Sequence, residues 1–306
     1  MRVALLFIDG VGIGPRSPAD NPLTRGAFLV SRFDDGAGTP LPAGGSWAAA
    51  DTTFGVEGRP QSASNQTAIY TGLPAPRLTG EHTLGYPDSR LIAILDAHSI
   101  VKRITAAGRA ATFANAYPAP VLKHMGVPGR PTSEPDFELP AEVKRRLRAS
   151  ASVLAMAAGG VAMRTFEDAR AGAGLTHDID GLAARARGMD VPSRTPDEAA
   201  EIFWRLAEDF TLFEHYQADE AGHARDMEAA VRALTAFDLF ARAVIAQRPD
   251  DAQVFICSDH GNVENLATRS HTLNPVPVLA FGPSDASRIH DVADVGLEVL
   301  RLLEVG

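Results

Sequence analysis

The chain has 306 residues, 45% of them hydrophobic and 22% charged, and a formal net charge of −9. That composition permits a sizeable core and excludes global disorder. The acidic balance argues against a general binder of nucleic acid or anionic membrane.

The first apolar run, residues 3–8, reads as a buried strand and ends on Asp9-Gly10. It is too short for a signal-peptide core with its cleavage site, and no run approaches membrane-spanning length, so a cytoplasmic location is expected. Further strands are predicted at 52–56, 111–114, 210–213, 254–257 and 278–281, with helical patterns at 66–71, 91–107, 196–207, 225–246 and 292–303. Such alternation predicts an α/β fold, a mostly parallel sheet with helices on both faces. Gly/Pro-rich stretches at 35–45 and 117–135 read as loops. The second opens a less regular region with short helices around 141–158. Residues 117–195 are therefore expected to form a small inserted cap, and 1–116 with 196–306 the core. The lone cysteine, Cys257, excludes a disulfide within the chain.

In open α/β sheets ligands gather beyond the carboxyl ends of the strands. Asp9 follows one strand and Asp259-His260 another, while Asp219 and His223 lie a few residues past a third. Asp219 and His223 are four apart and share a face if the backbone there is helical. Glu214 and His215 are weaker candidates nearby. His271 precedes Thr272-Leu273-Asn274-Pro275, a proline-stiffened entry to the last strand. Ser62 sits in a hydroxyl-rich turn that runs into a helix, where the dipole and free N–H groups favour an anion. Read singly, each of these is explained by a cap, a turn or an ordinary loop histidine. Together, three aspartates and three histidines at strand ends supply two three-ligand sets suited to Zn²⁺ or Mn²⁺.

The order of these segments resembles the alkaline phosphatase superfamily, nearest the branch of cofactor-independent phosphoglycerate mutase and phosphopentomutase. Residues 62–72 look like the nucleophile segment of alkaline phosphatases. Asp259-His260-Gly261-Asn262 and His271-Thr272, followed by Asn274-Pro275-Val276-Pro277, look most like the mutase branch. The resemblance covers about 1–115 and 205–306. It implies one metal on Asp219, His223 and His271, and a second on Asp9, Asp259, His260 and the oxygen of Ser62, the nucleophile. Two divalent ions would then be balanced by three aspartates and an ionised Ser62, leaving a near-neutral site for a phosphate dianion.

The chain departs from the family in places. The mutases' histidine in the helix after the nucleophile is absent, with Gln66, Thr67 and Tyr70 there instead, as is the sulfatases' Cys-x-Pro-x-Arg motif. The insert is much shorter than in the long mutases. The expectation is a two-metal enzyme acting on a small phosphomonoester through phospho-Ser62, with a phosphatase favoured. A phosphomutase is the alternative; a phosphodiesterase, or a non-catalytic binding protein on this fold, would be further readings. Arg59, Asn65 and Gln66 are candidate substrate contacts. At least one of Arg130, Arg145, Arg146, Arg148 and Arg164 is expected to face the metals from the cap.

Overall fold

The computed structural model describes residues 1–134 and 136–306; Pro135, at the end of the expected 117–135 loop, lies outside the described residues. The described residues form eight strands: β1 (Arg2–Ile8), β2 (Gly45–Ala50), β3 (Ala111–Phe113), β4 (Ala116–Tyr117), β5 (Arg164–Thr165), β6 (Phe210–His215), β7 (Ala252–Cys257) and β8 (Val276–Phe281). Six build one sheet in the order β2-β8-β7-β1-β6-β3, and β4 pairs with β5 separately. β1 runs parallel to both β6 and β7, and β3 parallel to β6. β8 is antiparallel to its neighbours β7 and β2. The sheet is thus mostly parallel, as the alternating pattern predicts. Along β1 the pleat sends Val3, Leu5 and Phe7 into one apolar cluster and Ala4, Leu6 and Ile8 into the other, so both faces are covered.

Helices α1 (Ser62–Thr71), α2 (Ala75–Thr79), α3 (Ser89–His98) and α4 (Ile100–Ala106) lie between β2 and β3. Then come α5 (Ala119–Met125), α6 (Ala141–Arg146) and α7 (Ala151–Ala158), followed after β5 by α8 (Phe166–Arg170), α9 (Leu182–Ala186) and α10 (Pro196–Leu206). α11 (Gln217–Ala224) and α12 (Met227–Ala246) precede β7, and α13 (Ala293–Leu302) closes the described chain. Among the described residues no helix is long and apolar enough to cross a membrane.

Local chemistry corrects three sequence expectations. Residues 52–56 form a turn, not a strand. The Asp51 carboxylate accepts from the backbone of Thr53 and Phe54, and Phe54 takes a positive φ of 51°. The pattern at 91–107 splits because Ser99 caps α4 through Val101 and Lys102. The pattern at 225–246 likewise starts late: Arg225 ends α11 in the left-handed region and Asp226 caps α12.

The insert is not all cap. α7 packs against α1, α3 and α4 and contributes Ala151, Val153, Ala155 and Met156 to the core. Ser99 Oγ donates to Ala155 O at 2.8 Å, tying the two together. The alanine-rich sequence of α7 allows that close approach. The other elements described between 119 and 195 are short, and several of their residues line one cavity with Asp9 and Ser62.

Candidate metal centre

Two parallel neighbours, β1 and β7, end side by side, and the chain delivers Asp9 from one and Asp259-His260 from the other. His260 Nε2 lies 3.4 Å from Asp9 Oδ1 and 3.5 Å from Asp259 Oδ2. Ser62, the first residue of α1, brings Oγ to 2.9 Å from the same nitrogen. Asp259 and His260 are fully buried and Asp9 nearly so.

The second group forms on α11 and the loop before β8. His223 Nε2 is 3.2 Å from Asp219 Oδ2, as the four-residue helical spacing predicts. His271 Nε2 is 3.1 Å from His223 Nε2 and 3.7 Å from Asp219 Oδ1. The His260 and His271 rings stack with centroids 3.7 Å apart, so the two groups adjoin.

The chemistry of both groups calls for a cation. Asp9 and Asp259 are buried carboxylates, and the ion pairs they make among the described residues are with His260. Burial, with Asp259, Asp219 and Glu214 nearby, pushes the Asp9 carboxyl well above its ordinary range. Asp9 Oδ1 and His260 Nδ1 are buried without a hydrogen-bond partner. In the second group His223 Nδ1 faces Arg269 O and His271 Nδ1 faces Pro60 O, each at 2.8 Å. A carbonyl only accepts, so each Nδ1 carries a proton; burial holds the His271 ring neutral, down to about 4, with its Nε2 lone pair free, while the Asp219 hydrogen bond raises His223 to about 8. The His271 lone pair and the Asp219 carboxylate thus both face His223 Nε2, and they call for a positive charge there, supplied by the His223 proton or, in its place, by a divalent ion. For Asp219, burial opposes ionisation, but the hydrogen bond from His223, the nearby His260 and the Asn262 amide hold its carboxyl well below the usual range. Carboxylate oxygens with imidazole nitrogens fit Zn²⁺ or Mn²⁺, and backbone carbonyls fixing the far ring nitrogen are the usual outer support of such ligands.

The remaining candidates take different places. Gln66 Nε2 donates to Asp259 Oδ2 at 2.9 Å and Asp9 Oδ2 at 3.4 Å, so it steadies the two carboxylates while lining the cavity. Asn65 is fully buried and turned away, donating to Thr52 O and Asp259 O. Arg59 donates to His271 O, bracing that loop. Glu214 is buried and accepts from Ser152 Oγ at 2.9 Å; burial raises its carboxyl to about 7. His215 Nδ1 faces His177 O at 2.8 Å, and burial lowers the imidazole to about 4. Burial likewise pushes the Cys257 thiol up, which leaves it inert.

The sequence did not single out Glu264. It is 1% exposed and its carboxylate accepts from Gly12 N, Asn262 N, Thr272 Oγ1 and Asn274 Nδ2. One side chain therefore pins the loops after β1, after β7 and before β8. Only a bare acid three residues past Gly261 marked it beforehand. Two glycines make room for this packing. Gly10 sits at φ +75° where a Cβ would lie 2.7 Å from Asp219 Oδ1, and a Cβ on Gly261 would lie 2.2 Å from Glu264 Oε1.

A cavity of about 490 Å³ opens from Asp9, Ser62 and Gln66 toward the cap. Of the five cap arginines, at least one of which was expected to face the site, Arg148 lines the cavity. Arg164 instead braces Phe113 O, Ala173 O and Thr112, and Arg130 pairs with Asp168. Arg187, not singled out beforehand, also lines the cavity.

A mostly parallel α/β sheet with an Asp/His cluster at its carboxyl edge defines a class of metal-binding domain. Residues 193–303 match the Metalloenzyme superfamily. It is similar to the 2,3-bisphosphoglycerate-independent phosphoglycerate mutase of Agrobacterium fabrum, 32% identical over 123 residues, which is 35% of this chain and 24% of that protein. It is also similar to a phosphopentomutase of Symbiobacterium thermophilum, 28% identical over 152 residues, 47% of this chain and 36% of that protein. The chain thus spans only about a quarter to a third of those relatives. Among solved structures, an alkaline phosphatase from the Antarctic bacterium TAB5 superposes with a TM-score of 0.56 at 14% identity, covering 100% of this chain and 98% of that one. A cold-active alkaline phosphatase of Shewanella superposes at 0.52 and 13% identity, over 99% and 100%. These superpositions establish the fold as alkaline phosphatase-like.

Proposed function

We propose that this protein is a metal-dependent phosphoryl-transfer enzyme that acts on a small phosphomonoester through a phospho-Ser62 intermediate, and that it works as a phosphatase. The observation that carries this reading is the placing of Ser62. Its Oγ stands at the N-terminus of a ten-residue helix, 2.9 Å from His260 and at the mouth of the cavity. The first N–H groups of a helix have no partner within it, so those of α1 are suited to phosphate oxygens.

Asp9, Asp259, His260 and Ser62 would hold one divalent ion, and Asp219, His223 and His271 the other. Bound there, such ions supply Lewis-acid stabilisation of phosphoryl oxygens and lower the pKa of a coordinated hydroxyl. The chain's own groups do the rest. Ser62 Oγ gives up its proton and bonds to phosphorus while the ester P–O bond breaks and the leaving oxygen gains a proton. Water then attacks phosphorus, the Ser62 O–P bond breaks and the serine recovers its proton. The balance is ester plus water giving alcohol plus phosphate. Gln66 keeps Asp9 and Asp259 aligned, and Glu264 keeps the three loops in register.

The test is to acid-quench manganese- or zinc-loaded protein during turnover of a phosphomonoester and map the phosphorylated peptide. Phosphate on Ser62, absent in Ser62→Ala, is the expected result. Phosphate on Ser64 moves the nucleophile, and no phosphopeptide with turnover intact removes the covalent step. A phosphomutase is the second reading, favoured by the mutase names of the curated relatives. Release of inorganic phosphate, against return of the group to another hydroxyl of the substrate, separates the two.

A further inference from the structure

The cavity beyond Ser62 extends well past the space a phosphate group fills, and its far wall comes from the cap and α11. Three rings stand in succession along that wall. Tyr117 and His177 have centroids 4.8 Å apart, and His177 and Tyr216 are 4.9 Å apart. Beside them Asp178 is 7% exposed. One of its oxygens, Oδ2, accepts from Ala184 N at 3.0 Å, while Oδ1 is buried with no partner. Gln217 Oε1, in the same lining, is also buried without a donor.

The two arginines of the lining are bonded to other groups, Arg187 to a residue of the same lining. Arg187 pairs with Glu220 at 3.6 Å, and Arg148 donates to Leu147 O at 2.8 Å. His177 does not serve as the counter-ion, because burial holds its imidazole neutral, down to about 3. Thus the wall offers aromatic rings and buried acceptors, one of them a carboxylate that has no cationic partner, beside arginines bonded to other groups. A buried acceptor left unmatched is destabilising, and aromatic rings attract cations.

We propose that the cap end of this cavity binds an alkylammonium group, so that the substrate is the phosphate ester of an amino alcohol. The proposal rests on the reading of the cavity as a phosphoester site. The phosphate end meets Ser62, and the ammonium end meets Asp178 and the faces of Tyr117 and Tyr216. A substrate with an anionic tail would instead set a carboxylate against Asp178 and Glu220. Primary and quaternary ammonium share this chemistry.

The experiment compares kcat/KM of the metal-loaded protein for phosphoethanolamine, phosphocholine, 3,3-dimethylbutyl phosphate and 3-phosphoglycerate. The third is the uncharged isostere of the second, so shape is held constant while charge is removed. At least one ammonium ester should exceed the isostere and 3-phosphoglycerate by about tenfold or more. Which ester does so tells primary from quaternary recognition. Asp178→Asn keeps an oxygen for the Ala184 N–H and should bring the ratio close to one. Tyr216→Leu, which keeps bulk but removes a ring, should lower it as well and serves if the first variant does not fold.

Calorimetric titration of choline and ethanolamine into chelator-treated protein gives a readout independent of turnover. Ammonium binding that depends on Asp178, with none of the esters turned over, would keep this site and defeat the phosphoester reading. Esters turned over with no preference for ammonium, and no choline or ethanolamine bound, would overturn this inference and leave the phosphoester reading standing.

Discussion

The carboxyl edge of the sheet and the cap that overhangs it are built on opposite principles. At the edge, charged side chains are buried and fixed by several partners each: Glu264 by four donors from three loops, Asp259 by the Gln66 amide and Gly10 N. In the cap, charges pair at the surface, as in Lys144–Glu138 and Lys123–Asp136, and its strands are two residues long. Buried polar networks tolerate little change, because a lost partner leaves a desolvated charge behind. Exposed pairs are screened and replaceable. The edge therefore tolerates little substitution, whereas the surface of the cap tolerates much.

The largest break in that contrast should come from the edge. Asp259→Asn removes a carboxylate from the fully buried group. We expect turnover to fall by at least about 10³-fold, with loss of one bound metal by elemental analysis. Retained activity with full metal content would remove Asp259 from the ligand set.

Glu264→Ala should be next. It orphans four donors at once, and we expect about 3 kcal/mol or more of lost stability by urea denaturation. A loss under about 1 kcal/mol would mean that water replaces the carboxylate without cost.

Gly10→Ala tests close packing at the same edge. A left-handed φ costs a non-glycine residue about 1 kcal/mol, and the new Cβ would press on Asp219. Weakened binding of the metal assigned to Asp219, beyond the modest drop in Tm, is the expected signature.

The seam between the two regions should respond to pH. His177 and His215 are buried neutral, with values near 3 and 4 set by desolvation. The unfolded chain takes up protons near pH 6.5, while the folded chain refuses them until about 4 and then 3. Folding stability must then fall as pH drops across that window. Tm measured between pH 7 and 5 should decline, and His177→Gln should flatten the decline. At the other extreme, Lys144→Ala in the cap should change stability by less than about 0.5 kcal/mol.

What lay open in the sequence was the edge. Strand ends follow from short apolar runs, and the residue just past such a run is placed at the carboxyl edge whatever the rest of the chain does. Asp9 and Asp259-His260 were visible for that reason, and the Asp219–His223 spacing carried its own helical geometry. The turn at 52–56 and the break at Ser99 were less legible, because a side chain bonding to nearby backbone overrides hydrophobic pattern within a few residues. Only the tertiary structure assigned α7 to the core, Asn65 to Asp259 rather than to the cavity, and Glu264 to three loops at once. It alone set the Tyr117, His177 and Tyr216 rings beside Asp178. A residue's type and local period are written in its neighbours along the chain. Its partners when buried come from segments up to hundreds of residues away, and packing, not sequence spacing, decides which of them meet.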